Sequence, residues 1–255
     1  MILILILAAL LLSSCGHPKQ ARVDVPEPPP ALAGSEENEP PPAMKPSASR
    51  AGEGTSSPSD ADLAEPTLPL DTRPVTTEVG LASWYGPPYH KRRGSNGEVY
   101  NMHAMTAAHR TFPLGSIARV TNVKTGQSAL VRITDRGPFI KGRVLDLSLA
   151  AAKKIDVWRP GVAEVRVELM QTPGSASAAG KWAVQIGGFA DENGAAKLAD
   201  HLTRRYRTAK VTHFASPAGD WWVRVRVLED EHSRAQKLAA ETTTKEGGVF
   251  LVRLD

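Results

Sequence analysis

Three ionisable side chains stand out in a polar stretch of the sequence: Glu98, His109 and Asp135. Cleaving a glycosidic bond needs a carboxylic acid that protonates the leaving oxygen, and a second charge or base that manages an oxocarbenium-like transition state. Two carboxylates and a histidine meet that minimum. On residue types alone a second interpretation stays open, in which Asp135 forms a turn, Glu98 is a solvated loop charge and His109 is a satisfied polar residue.

The local sequence indicates how each of these side chains is held. Asp135 follows an apolar run and precedes Arg-Gly-Pro, so it is predicted to end a strand at the edge of a cleft, where a scaffold can fix it. Glu98 follows an Asn-Gly loop. Thr106 is typical of a helix N-cap, which would place His109 in the first helical turn.

The elements around these residues predict a small closed barrel. Short alternating runs indicate strands, a Lys-Thr-Gly turn joins the middle two, and one short apolar run indicates a helix. Many short strands and one small helix in a module of this size are typical of a barrel. The predicted strands cover 79–85, 116–123, 127–134 and 162–170, and the predicted helix covers 147–156.

The C-terminal part of the chain shows a different pattern, which repeats weakly in its two halves. Asp191 is a candidate cap for a helix with an apolar stripe, and a second helix is predicted over 233–244. The element order is βαββαβ, which predicts a ferredoxin-like unit of four antiparallel strands with both helices on one face. The predicted strands cover 181–189, 208–215, 221–228 and 248–254.

The composition of the 255 residues indicates a tether followed by folded domains. Thirteen of the 20 prolines lie in residues 16–79, a segment with no aromatic residue and 5 Lys/Arg against 11 Asp/Glu, or −6. Such a segment cannot bury enough apolar surface to fold, so it is predicted to be disordered. Residues 80–172 carry 14 Lys/Arg against 6 Asp/Glu, or +8, which suits an anionic polymer. A Gly/Ser/Ala linker is predicted over 173–180.

The N-terminus predicts export and lipid anchoring. Residues 1–12 are almost purely aliphatic, too short to span a bilayer and typical of a signal peptide. The following Leu-Ser-Ser-Cys15-Gly16 resembles a bacterial lipobox, in which the cysteine is diacylated, although no Lys or Arg precedes the apolar run. The alternative is an ordinary secretory signal with a chance cysteine. Because Cys15 is the single cysteine, a disulfide framework and a cysteine-based zinc site are excluded.

Five motifs, taken together, identify a family. They occur in order between residues 80 and 148, and the combination closely resembles the rare lipoprotein A (RlpA) family of septal lytic transglycosylases. Residues 181–255 resemble the SPOR domain that usually accompanies it. The motifs are Gly-Leu-Ala-Ser-Trp-Tyr-Gly, Ser-Asn-Gly-Glu-Val-Tyr-Asn-Met, Met-Thr-Ala-Ala-His-Arg-Thr, Arg-Ile-Thr-Asp-Arg-Gly-Pro-Phe and Gly-Arg-Val-Leu-Asp-Leu-Ser.

The resemblance implies a fold and an architecture. We expect a signal peptide over 1–14, a tether over 15–78, a catalytic double-psi β-barrel over 79–172 and a ferredoxin-like SPOR domain over 181–255. It implies cleavage of the MurNAc–GlcNAc bond in peptidoglycan strands that lack stem peptides, leaving 1,6-anhydro ends at the division septum. No cofactor or metal is implied. The lipid anchor would place the chain in the cell envelope, at the periplasmic face of the outer membrane, within reach of division proteins.

The resemblance also implies roles for individual residues. Asp135 would be the general acid/base, Glu98 would stabilise positive charge, and His109 would position substrate or orient a carboxylate. Trp84 and Tyr85 would either stack on sugars or fill the barrel.

Three further positions are interpreted from their place in the predicted elements. Asp146 matches a motif of the family, but it lies just before the predicted helix and is interpreted as a structural cap. Gln185 and Arg224 take equivalent places in the two halves of the SPOR domain, where they would bind glycan or form the wet face of its sheet.

Two departures and two competing functions complete the sequence-based account. Asn101 replaces a frequent Asp, and the run from Arg224 to Leu228 lacks the usual Gly-Pro ending of the third SPOR strand. A non-catalytic lipoprotein that binds or loosens the wall is the alternative to an enzyme. RNA binding by the ferredoxin-like sheet is excluded by the predicted export. The sheet also lacks the paired aromatic motif with which RNA-binding sheets of this order stack on bases.

Overall fold

The structure, a computed structural model, describes residues 63–174, 180–216, 218–244 and 247–255. The first module is a closed six-stranded barrel, with the strands in the order β1-β5-β2-β4-β3-β6. The pairs β1–β5 and β2–β4 are parallel and the other pairs are antiparallel. The elements are β1 Thr76–Trp84, β2 Thr106–His109, β3 Ile117–Asn122, β4 Ser128–Asp135, β5 Arg143–Leu147, α1 Leu149–Lys154 and β6 Ala163–Gln171.

Alternating aliphatic side chains fill the barrel, as the sequence pattern predicted. Fully buried residues of the strands include Val120, Val131, Ile133, Leu145 and Val167. Ser148 begins α1, because its side chain accepts a hydrogen bond from the Ala151 N–H. The predicted barrel is therefore confirmed.

Two details of the barrel correct the sequence-based interpretation. Thr106 does not cap a helix: it begins β2, which pairs with β4 on one side and β5 on the other. Pairing on both edges overrides the helical preference of the two alanines in this strand. Asp146 lies in β5 and does not cap α1, since Ser148 has that role.

The end of the predicted tether lies on the barrel. Glu65 Oε1 accepts a hydrogen bond from the Leu130 N–H at 2.6 Å, and the Val75 N–H donates to Leu169 O at 2.7 Å. The tether predicted over 15–78 is therefore too long at its C-terminal end. Cys15 and the predicted signal peptide lie outside the described residues.

The second module is a four-stranded antiparallel sheet in the order β10-β7-β9-β8 with two helices, so the predicted ferredoxin-like topology is confirmed. Asp191 caps the first helix by accepting from the Gly194 N–H at 2.9 Å. The elements are β7 Trp182–Phe189, α2 Glu192–Arg205, β8 Lys210–Ala215, β9 Trp221–Arg226, α3 His232–Glu241 and β10 Gly248–Arg253.

The third strand of this module ends without a Gly-Pro turn. A single turn of 3-10 helix over Leu228–Asp230 follows it, with Glu229 and Asp230 at φ 60° and 51°. The Arg226 guanidinium binds the Asp230 carboxylate and ties this turn to the strand. None of the helices in the described ranges has the length and apolar character needed to cross a membrane.

Candidate functional site

Asp135 is held at the end of β4 by a loop that folds over it. Its Oδ1 accepts hydrogen bonds from Ser95 N at 3.0 Å, Ser95 Oγ at 2.5 Å and Arg136 N at 2.7 Å. The loop approaches closely because Gly94 has no side chain: a Cβ there would lie 3.2 Å from Thr134 O. With Oδ1 occupied, the orientation of the carboxyl is fixed and Oδ2 is the oxygen left for a substrate.

A β-bulge sets the face of the strand on which the Asp135 side chain lies. Between Ala107 and Ala108 the register of β2 against β4 shifts, so that Ala108 opposes Asp135 while Thr134 is the extra residue. One added residue turns the following side chain to the other face of the strand. Ala108 also opposes Asp146 of β5.

Asp135 and Asp146 therefore flank a single alanine. Strands lie about 4.8 Å apart, so two strand steps put the two Cα atoms roughly 10 Å apart on one face. Ala108 itself is buried, and the backbone of Gly137 lies against it: a Cβ at Gly137 would be 3.8 Å from Ala108 Cβ and 3.9 Å from Asp146 Oδ2. The arrangement is a pair of acids on one face of three neighbouring strands, beside the Arg-Gly-Pro loop.

Asp146 is the functional candidate that the sequence interpretation missed. Its side chain is 14% exposed, and both its oxygens accept from Arg143 Nη2, at 2.6 and 2.7 Å. Burial raises the pKa of Asp146, Arg143 acts in the opposite direction, and the Asp135 charge adds a smaller rise. A carboxyl with a raised pKa beside another acid is typical of proton-transfer sites. The sequence signal was the acid inside the apolar run Val-Leu-Asp-Leu, where a solvated charge is out of place.

Glu98 is an ionised carboxylate at the rim. Its oxygens pair with Arg132 through Nη1 at 3.0 Å and Nη2 at 2.9 Å, and its side chain is 52% exposed. The Arg132 guanidinium lowers the pKa of Glu98. Glu98 is therefore suited to act as a fixed negative charge and unsuited to donate a proton near neutral pH.

Tyrosines line the site beside the two aspartates. The Tyr85 ring stacks on Tyr100 at 4.3 Å between centroids, and Tyr100 Oη donates to Tyr85 O at 2.8 Å. Burial raises the pKa of both phenols, and the charges of Asp135 and Asp146 act in the same direction. Trp84, in contrast, packs against the barrel core. Trp84 and Tyr85 therefore differ in position: Tyr85 lies near the two aspartates, whereas Trp84 packs on the barrel core.

His109 lies apart from the acids and is 3% exposed. It is one residue beyond Ala108 in β2, so its side chain leaves the opposite face of the strand. Nδ1 accepts from Phe112 N at 2.9 Å and Thr111 N at 3.2 Å, which places the ring proton on Nε2, where it bonds to Glu78. Among the described residues, no contact joins His109 to Asp135 or Glu98. Its bonds hold the segment that follows β2.

We expect His109→Ala to lower the free energy of unfolding by about 3 kcal/mol, since a buried ring and three hydrogen bonds are lost. Activity per folded molecule should persist. Thermal unfolding and initial rates, measured beside the exposed His103→Ala as control, check this. If His109→Ala were inactive with an unchanged Tm, His109 would have a role in catalysis.

The same residue predicts a dependence of stability on pH. Burial lowers the pKa of His109, so the folded state holds the ring neutral while the unfolded chain binds a proton below about pH 6.5. The contribution of His109 to stability is therefore complete above that pH and declines as the pH falls below it. Denaturant titrations of the wild-type chain and His109→Ala between pH 7.5 and pH 5 should converge toward acid pH.

Gln185 and Arg224 meet on the sheet of the second module. Arg224 Nη2 donates to Gln185 Oε1 at 2.8 Å, and the guanidinium lies over the Phe214 ring at 5.0 Å. Gln185 is only 2% exposed. This face of the sheet is therefore covered, and it is not the wet surface that the sequence suggested as one alternative.

No group of three or more His, Cys, Asp or Glu side chains that could hold a metal ion occurs in the described ranges.

Comparison with protein families assigns both modules. Residues 77–167 match the family described as lytic transglycolase, and residues 178–253 match the SPOR domain. Taken together and in this order, the two matches are similar to the domain organisation of the RlpA family. The six-stranded barrel is accordingly a double-psi β-barrel, and the sheet that follows it is a SPOR domain.

Curated members of the RlpA family are similar over part of their length. A Helicobacter pylori (strain J99) protein named endolytic peptidoglycan transglycosylase RlpA is 40% identical over 151 residues, which are 48% of each chain. One of the same name from Vibrio cholerae is 54% identical over 94 residues, 37% of this chain and 36% of the relative. The chain thus spans about half or less of the relatives' length. Among solved structures, an expansin of Clavibacter michiganensis aligns with 60% of this chain and 80% of its own at 16% identity, with a TM-score of 0.31.

Proposed function

We propose that the chain is a peptidoglycan lytic transglycosylase that cleaves the MurNAc–GlcNAc bond and leaves 1,6-anhydro-muramic ends. The observation that carries the proposal is the alignment of Asp135, Ala108 and Asp146 across three adjacent strands. Two acids placed on the same face of adjacent strands match the pair of carboxyl groups that glycosidic cleavage requires. The names of the RlpA relatives support the same reaction.

Asp135 is assigned the acid/base role. Its Oδ2 gives a proton to the leaving oxygen as the glycosidic bond breaks, and the muramic C6 hydroxyl attacks the anomeric carbon. The same carboxylate then takes the hydroxyl proton, so the site returns to its starting state without water. The three donors on Oδ1 hold the carboxyl in one orientation through both transfers.

The neighbouring residues serve charge and position. Glu98, kept ionised by Arg132, opposes the positive charge that develops on the sugar ring. Tyr85, half-buried and backed by the buried Tyr100 ring, is the tyrosine against which a sugar can pack. Asp146 supplies the second acid beside Asp135, and Arg143 holds it in place.

The remaining steps of the proposal concern where the chain acts. Cys15, lipidated, anchors the chain in the outer membrane at the periplasmic side, and the proline-rich tether lets the barrel reach the wall. The SPOR domain binds strands that lack stem peptides and concentrates the chain at the septum, with division proteins as further partners. The lipobox-like sequence and the SPOR match support this placement.

We expect Glu98→Gln to lower turnover about 10²-fold, which corresponds to about 2.7 kcal/mol of transition-state stabilisation. The amide keeps the shape but removes the charge that opposes the oxocarbenium-like ion. Initial rates on stripped glycan check this, with Glu168→Gln as the control because Glu168 also lies near an arginine of the barrel, Arg119, at 3.9 Å. Equal rates in the two variants would reduce the Glu98–Arg132 pair to a structural contact.

A release assay tests the function as a whole. Sacculi labelled with a dye are prepared intact and after amidase treatment, and the full chain should release soluble label from the treated sample faster. Binding to sacculi without any release would favour the alternative function, a wall-binding or wall-loosening lipoprotein.

A further inference from the structure

The SPOR sheet has a buried face where a two-layer fold would leave an exposed one. Helices α2 and α3 cover one face only, through the cluster that includes Val184, Val223 and Leu238. Residues of the opposite face are nevertheless buried: Trp222 and Phe250 are each 7% exposed and Val252 is 0% exposed. Some other part of the molecule must cover them.

The barrel covers this face. The Phe139 ring lies 5.3 Å from Trp222 and 5.8 Å from Phe250 between centroids, and the Arg110 guanidinium lies 5.8 Å from the centre of the Phe250 ring. Phe139 follows Asp135 by four residues, in the loop that begins at the candidate site. The contact is therefore an aromatic interface between the loop that follows Asp135 and the SPOR sheet.

Hydrogen bonds between the barrel and the SPOR domain fix the same contact. Arg253 N donates to Arg110 O at 3.0 Å, and Leu114 N donates to Asp255 O at 3.2 Å. Arg136, the residue after Asp135, donates from Nη2 to Asp255 O at 2.6 Å. The two modules are thus joined by directional bonds as well as by apolar packing.

The covered face is the one that carries the polar groups suited to sugars. Arg224 and Gln185 lie on it beside Trp222 and Phe250, and a guanidinium, an amide and aromatic rings are the groups that bind sugar hydroxyls and pack on sugar faces. In the docked arrangement Gln185 is 2% exposed, so a glycan strand cannot reach it.

We propose that docking of the barrel on the SPOR sheet is a closed state, and that the barrel loop around Phe139 and a glycan strand compete for the same sheet face. This inference rests on the proposed glycan binding by the SPOR domain. It adds that docking of the barrel regulates this binding. Glycan captured by the sheet displaces the barrel and frees the loop next to Asp135. Cleavage is thereby coupled to the presence of strands that the SPOR domain recognises.

Affinity measurements on full-length variants give the first test. Phe139→Ala removes the aromatic contact from the barrel side and should raise the affinity for amidase-stripped glycan about tenfold, as expected if only about a tenth of the chains are open. Trp158→Ala is the control, because Trp158 is an exposed aromatic residue of the barrel whose ring contacts Lys153 of the same module. Unchanged or weaker binding by Phe139→Ala overturns the competition.

Amide hydrogen exchange in the wild-type chain gives a second test of the closed state. Stripped glycan should speed exchange at Leu114 and Arg253, whose N–H groups bond across the interface, and leave Gly115 protected, since its N–H bonds to Ile133 O inside the barrel at 2.7 Å. Glycan that binds while exchange at Leu114 and Arg253 slows or stays constant overturns the inference and leaves the proposed function standing. Failure of both the wild type and Phe139→Ala to bind glycan overturns this inference and the glycan binding together, while the release assay scores cleavage independently.

Discussion

Asp135→Asn should reduce cleavage at least about 10³-fold, the range that general acid/base catalysis supplies, or about 4 kcal/mol of barrier. The amide oxygen can still accept the hydrogen bonds from Ser95 N, Ser95 Oγ and Arg136 N. The transferable proton on Oδ2 is replaced by an amide that cannot give it up. The loss is measured as the initial rate on stripped glycan, and the Tm should stay within a few degrees of that of the wild type.

Full activity of Asp135→Asn would contradict this assignment. The acid role would then pass to Asp146 before Glu98, because burial raises the pKa of Asp146 whereas Arg132 lowers that of Glu98.

Asp146→Asn is expected to reduce turnover about 10²-fold and to lower the free energy of unfolding by about 3 kcal/mol. An amide offers one acceptor to Arg143, where the carboxylate offers two, and it leaves that guanidinium without its counter-charge. Asp156→Asn is the control, since Asp156 is exposed and bonds to Gln127 at the surface. Rates and chemical denaturation are measured on the same preparations.

A purely structural Asp146 would give a different result. Asp146→Asn would then unfold more easily yet turn over at the wild-type rate per folded molecule at a temperature well below its Tm. That outcome would leave Asp135 as the acid that works without a partner.

Alternating apolar residues made the barrel and the SPOR sheet predictable from the sequence. In β6, for example, the buried Val165, Val167 and Leu169 alternate with more exposed residues. Asp191 has the side-chain chemistry of an N-cap, and it begins α2. The short strands β2 and β5 were not predicted. Four residues that include two alanines carry no strand preference, and their conformation comes from pairing with distant segments.

The composition of the site was only partly predictable for the same reason. Pairing with Ala108 places Asp135 and Asp146 on one face of the sheet, and a bulge sets which face Asp135 takes. Nothing in the local sequence announces that bulge, so His109, adjacent to Ala108, was grouped with the acids although it points away from them. The contact of Phe139 with Trp222 joins two modules, and strand periodicity cannot reveal such a contact.

The most direct test of the proposed function is identification of the cleavage products. The full chain and its Asp135→Asn variant are incubated with amidase-stripped sacculi, and the soluble fragments are analysed by mass spectrometry. The wild type should produce fragments that end in 1,6-anhydro-muramic acid, one water lighter than hydrolytic ends, and Asp135→Asn should produce none above background. Fragments with reducing muramic ends would contradict intramolecular attack by the C6 hydroxyl, and no fragments from either protein would contradict the enzyme itself.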